Sequence, residues 1–298
     1  MTSLRDVLLV ARFDVLRALR TWWAGALFLL YGLATAGAAW AFIKLVGVME
    51  NALARQLGVP TTDTPGAMLN QLVESDSFRE VLENMVGSEA ALEQVLQVPV
   101  LAIFNLWFGF VAIPFFAAMA SSECLSGDMA SRAIRYEALR TGRLELVAGR
   151  YLGQLLLTGM ATAISVVGVF ILGMTSMRGN QPGPLLWWLC WLSLRAWFFS
   201  MPFVGIGVAT SQLTTWPMVS RVMALVATAG TWAVYMSLGL FDDTPLVFLA
   251  DMLIQVLPQG WMNQMWEPVG WLVPAIICSC LGPALAMVGF VRFNRRDL

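Results

Sequence analysis

Long apolar runs alternate with short polar interruptions along this chain. Crossing about 30 Å of hydrocarbon takes a helix of roughly 20 apolar residues. Six stretches reach that length: Thr21 to Ile43, Pro99 to Ala120, Tyr151 to Met177, Leu185 to Ser211, Val222 to Phe241 and Val269 to Val291. The pattern predicts an all-α membrane protein with six transmembrane helices, residues 1–298 forming one membrane domain. An even number of crossings returns both termini to the same side.

Ahead of the first run, Leu4, Val7, Leu8, Ala11, Val15, Ala18 and Leu19 recur every three or four residues, with Arg5, Asp6, Arg12, Arg17 and Arg20 on the opposite arc. That stripe predicts a helix over residues 1–20. It suits a helix lying in the membrane interface with its arginines toward lipid phosphates, and a continuation of the first span is the alternative. The arginines and the length of the run behind them do not fit a cleavable signal, so the N-terminus is expected to stay on the chain.

Two polar stretches carry helix punctuation of their own. Residues 49–98 are too long for a structureless link. Thr64 before Pro65 marks a helix start, Ser77 with Glu80 forms a capping box, and Gly87 suits a stop, which together predict a small outer helical cap between spans one and two. Residues 242–268 mix Asp251, Gln255 and Glu267 with apolar positions and are interrupted by Pro258 and Gly260. A re-entrant or interfacial helix pair before span six is expected there.

Charge orients this arrangement. Only 12% of the residues are charged and 58% are apolar, about half the charged share of a soluble domain. Arginines gather before span one, between spans two and three (Arg132, Arg135, Arg140, Arg143, Arg150), at Arg221, and after span six (Arg292, Arg295, Arg296). The opposite face has only Arg55, Arg79 and Arg178, together with most of the acidic residues. The excess of arginine on one face predicts that this face is cytoplasmic, in a multi-pass protein of the bacterial cytoplasmic (inner) membrane with both termini inside.

Much chemistry is missing. The chain has no histidine, which removes the commonest general base and metal ligand, and no CxxC pair for zinc. It has neither a GxxxxGK[ST] phosphate loop nor a GxSxG elbow. No catalytic, cofactor or metal site and no nucleic-acid partner are expected. Cys124, Cys190, Cys278 and Cys280 read as small core residues rather than a disulfide framework.

Residues 122–150 are densely charged for so apolar a chain. Ser126 or Asp128 can cap a helix from Met129 to Leu139, with Gly142 as its stop. On that helix Arg132, Arg135 and Leu139 share one stripe, while Met129 and Tyr136 offer apolar contacts. The stretch suits contact with a protein; meeting lipid headgroups and fixing topology is the plainer alternative.

The order of motifs resembles the ABC-2 type permeases, the membrane subunits of ATP-driven transporters. Glu123 and Gly127 match that family's glutamate at the end of span two and the glycine four residues on. Thr141 to Arg143 resembles its Ser/Thr-Arg element, although the preceding proline is missing and Gly142 is inserted. Ala148-Gly149-Arg150 matches the small residue and base that open span three, and VRFNRRDL, Val291 to Leu298, is similar to the family's ending.

The resemblance implies a permease subunit, an exporter and not itself an enzyme, paired with a second copy or a related permease. A dimer of separate ABC ATPase subunits would hold the ATP and Mg. The loop would act as a coupling helix docked on the ATPase through Glu123, Gly127, Met129, Arg132, Arg135, Tyr136, Glu137, Leu139, Arg140 and Arg143. A non-transporting scaffold or signalling subunit anchoring a cytoplasmic complex is the other reading. An ion-coupled carrier is disfavoured, because such carriers place acidic residues at mid-membrane and these spans have none.

Arg195 lies well inside an apolar run, just past Trp187, Trp188 and Trp191. A lone charge at that depth costs roughly 2.5 to 3.5 kcal/mol. It is expected either to snorkel to the aromatic belt or to pair with Asp251 or Glu267 at an outer gate. Pro114, Pro202 and Pro274 each predict a lost backbone bond within a span, and Asn105 and Gly149xxxGly153 offer helix contacts.

Overall fold

The computed structural model describes residues 3–57, 65–66, 98–177, 180–241, 247–267 and 270–295. Among them there are only helices, turns and bends, with no strand. Helix α1 (Leu4–Arg20) leads into α2 (Trp22–Leu57), and α3 (Val100–Ser121) follows. Two short helices, α4 (Ser126–Ala130) and α5 (Ile134–Arg140), connect α3 to α6 (Arg143–Ser176). Next come α7 (Pro182–Leu213), α8 (Pro217–Leu238), α9 (Val247–Val256) and α10 (Leu272–Asn294). Six of these, α2, α3, α6, α7, α8 and α10, are long and apolar enough to cross a membrane.

α7 is the central post. Its residues from Phe199 to Val208 are buried without a polar face, as expected of a helix surrounded by others. Small residues let its neighbours approach, since close backbone packing rather than water exclusion holds helices together in lipid. A methyl group on Gly205 would fall on the carbonyl of Gly282 in α10, and one on Gly289 would stand 2.6 Å from the carbonyl of Ala209. On the other flank the Asn105 side-chain amide of α3 donates to the Ser193 hydroxyl at 3.1 Å.

α1 is a separate helix, divided from α2 by the extended backbone of Thr21. It lies along the start of α6, which covers part of its apolar arc. Val7, Ala11 and Asp14 form its buried stripe. The Gly149xxxGly153 pair makes the groove that receives it: a methyl on Gly149 would stand 2.5 Å from the Val10 Cβ, and one on Gly153 would stand 2.8 Å from an Asp14 carboxylate oxygen. Leu4, Leu8 and Leu19 of the expected apolar face remain exposed.

Several boundaries move. α2 continues to Leu57, so residues 49–57 belong to the same helix as span one, and Thr64, Ser77, Glu80 and Gly87 lie outside the described residues. Glu50 is buried on α2 and accepts the backbone N–H of Gly66 at 2.8 Å. Among the described residues of 242–268 the expected helix pair is represented by one α-helix, α9, followed by two 3-10 turns, Pro258–Trp261 and Gln264–Trp266. Pro274 falls in the first turn of α10, where no intrahelical donor is lost, and Pro283 is its interior proline. Cys124 and Cys278 are buried, whereas Cys190 and Cys280 are exposed on the bundle surface.

Candidate functional site

The arginine-rich end of the bundle holds a buried charge cluster centred on Arg150. Its guanidinium donates to Asp14 at 2.5 Å, to Asp128 at 2.5 Å and to Glu137 at 2.7 Å, with the Arg150 side chain only 2% exposed. Asp128 also pairs with Arg17 at 2.7 Å, and the Gln154 amide donates to Asp14 at 2.8 Å. A planar guanidinium spreads five donors over three nitrogens and so reaches carboxylates on different sides, whereas an ammonium has three donors on one nitrogen. Burial raises the carboxyl of Asp14 above its ordinary value, against the opposing pull of Arg150.

This geometry explains why the connection between α3 and α6 is not one helix. In an unbroken helix residues 128 and 137 would lie about 180° apart around the axis and about 13.5 Å apart along it. Their carboxylates could not reach one guanidinium. The chain breaks after Ala130, and Arg132 takes a left-handed conformation with φ 60. A non-glycine residue there costs roughly 1–2 kcal/mol, which the shared ion pairs offset. Arg132, Arg135 and Leu139 therefore do not form one continuous stripe, and neither Ser126 nor Asp128 makes a side-chain cap.

The rest of the connection is tied down residue by residue. Glu123 pairs with Arg221 of α8, and the Ser220 hydroxyl donates to the carbonyl of Ser122 at 2.5 Å. Arg143 donates to the carbonyls of Phe293 and Asn294 at 3.2 and 2.6 Å, placing a cation at the end of α10 where helix carbonyls are unsatisfied. Met129 is in the core rather than on an exposed face. Gly127 has open space where a Cβ would stand, so close packing does not require its glycine. Arg135 and Arg140 are exposed, and Tyr136 and Leu139 stand clear at 76% and 84% exposure. The arginines of α1, Arg5, Arg12, Arg17 and Arg20, are all exposed, and among the described residues Arg17 alone of them reaches a carboxylate, that of Asp128.

Beside the cluster a cavity of about 330 Å³ opens between α1, α2, α3 and α6, with Phe28, Phe116 and Leu157 on its apolar side. The importance of Asp14, Asp128 and Gln154 is not visible from local pattern. One signal exists: Asp14 continues the buried stripe of Val7 and Ala11 at helical spacing, where an acid needs a cation.

At the opposite end Arg195 neither snorkels nor pairs with a carboxylate. It is 2% exposed and donates to the backbone carbonyls of Met265, Trp266 and Glu267 at 2.9, 3.2 and 3.2 Å. Its guanidinium stands over the rings of Trp191 and Trp271, 5.9 and 5.3 Å from their centroids. The carbonyls and ring faces supply the partial negative charge that a desolvated cation needs. Asp251 and the side chain of Glu267 are exposed and take no part.

The chain is thus a multi-pass helical protein with one charged cluster at its basic end and one arginine clamp at the other. Compared with known proteins, it matches no family model and no curated protein.

Proposed function

We propose that this chain is the membrane-spanning subunit of an ATP-driven transporter of the ABC-2 type, with residues 122–150 carrying force from a separate ATPase. It would work as an exporter, as a dimer with itself or a related permease, in the bacterial cytoplasmic membrane with both termini inside. One observation carries the reading. The connection between α3 and α6 is anchored by charged contacts to α1, α6 and α8, while Tyr136 and Leu139 project free of the bundle. A rigid root with an exposed apolar tip suits a lever: a partner gripping the tip moves three helices together. The clamp of Arg195 on the 264–267 turn would then hold the far end closed until the bundle shifts.

The test is ATP hydrolysis by the ATPase that co-isolates with the chain, in proteoliposomes. Leu139→Asp is expected to keep the bundle folded and abolish the effect of the membrane subunit on hydrolysis. Unaltered coupled turnover would defeat the reading. An ATPase that binds the tip yet never responds to the membrane subunit would instead favour a scaffold.

A further inference from the structure

We propose that the groove between α1 and α5 is a binding site for one anionic phospholipid, with its phosphate at Arg12 and Arg140 and an acyl chain along Leu9, Phe13 and Leu16. The groove has a volume of about 460 Å³, and Leu146 of α6 closes its apolar floor. Its other polar members do not compensate the two arginines. The carboxylate of Glu137 is engaged by Arg150, and the Thr141 hydroxyl donates to the Glu137 carbonyl. Among the described residues the ion pairs join Arg17, Arg150 and Arg221 to carboxylates, and none involves Arg12 or Arg140.

Two uncompensated cations over an apolar floor complement an anionic head on an aliphatic tail. Position favours lipid over an acidic peptide. Leu16 is followed by exposed Leu19 and Trp22, where α1 hands over to the first span, so a chain lying on Leu9, Phe13 and Leu16 continues along apolar surface toward the bilayer. A soluble peptide would leave that boundary uncovered. The site would tie lipid charge to α5, the helix that carries Tyr136 and Leu139, yet the proposal does not depend on the ATPase reading.

The experiment uses the purified chain alone. Native mass spectrometry in detergent, titrated with phosphatidylglycerol or phosphatidylcholine, is expected to retain phosphatidylglycerol preferentially. Arg12→Gln with Arg140→Gln should weaken phosphatidylglycerol about thirtyfold and leave phosphatidylcholine unchanged. Arg292→Gln with Arg295→Gln, exposed at the same end but outside the groove, should leave both unchanged. Inorganic phosphate should not compete, because it lacks the chain. Undiminished phosphatidylglycerol binding in the first variant, an equal loss in the second, or competition by inorganic phosphate would each overturn the proposal. A photoreactive phosphatidylglycerol cross-linked to the unsubstituted protein gives a readout free of folding effects. Adducts are expected within residues 9–16 and 137–146, and adducts confined elsewhere would refute the site.

Discussion

Arg150 and Asp128, 22 residues apart in the chain, meet in an ion pair of 2.5 Å with both side chains buried. That contact joins the short helix after span two to the opening turns of span three, and Arg150 carries the connection on to Asp14 of α1 and Glu137 of α5. The basic end of the bundle therefore holds a buried polar unit beneath its surface arginines.

Removing the centre of that unit takes the shared cation from three carboxylates, leaving Asp128 with Arg17 and Asp14 with the Gln154 amide. Breaking a buried ion pair from one side costs about 3–5 kcal/mol. Arg150→Met is expected to lower the melting temperature in detergent sharply. Arg150→Lys should be intermediate, because an ammonium lacks the planar fork. A methionine variant that melts with the wild type would show the cluster to be energetically idle.

Asp14 gives the cluster a pH dependence of defined sign. Its carboxyl is raised above the ordinary 3.8 mainly by burial, with Arg150 and the Gln154 amide opposing and Asp128 adding to the rise. A folded value above the unfolded one means the native state holds the extra proton between the two. This group's stabilisation is then complete below 3.8 and is lost as pH rises through the folded value. Asp14→Asn should flatten that part of the stability profile; identical slopes in the two proteins would rule out Asp14 as the source.

Gly149 sets how closely α1 can lie on α6. A side chain there meets Val10 and the Val7 carbonyl, so Gly149→Val should push α1 away, at a cost of about 1–3 kcal/mol or more. Spin labels on α1 and α6 should report a longer distance. Gly168→Ala, with open space around its Cβ, is the matched control and should change nothing.

The Arg195 clamp holds the 264–267 turn through one guanidinium nitrogen, Nη1, whose two hydrogens are shared among three carbonyls; a hydrogen bond from a charged donor is worth about 1.5–3 kcal/mol. Arg195→Met should loosen that turn, seen as altered tryptophan fluorescence from Trp191 and Trp271 at lower denaturant than in the wild type. Asp251→Asn, remote from the guanidinium, should behave as the wild type. Equal effects of the two substitutions would restore carboxylate pairing as the better account.

The six spans were legible because their signal is local: about twenty apolar residues in a row suffice. The N-terminal helix, ending at Arg20, was legible for the same reason. The charge cluster was not, since its partners come from residues 14, 128, 137 and 150 and meet only once α1 settles in the Gly149xxxGly153 groove. The break at Arg132 has no proline or glycine to announce it, and its cause is the need of Asp128 and Glu137 to reach the same guanidinium. Arg195 was marked by sequence as needing a partner, but backbone carbonyls of a distant turn leave no trace in residue type.

The most direct test of the central claim is site-specific photo-cross-linking in membranes that contain the co-isolating ATPase. Probes at Tyr136 and Leu139, on the exposed tip of α5, are expected to capture the ATPase subunit, and a probe at exposed Phe248 on α9 is expected to capture none. Capture at Phe248 with none at Tyr136 and Leu139 would contradict the account.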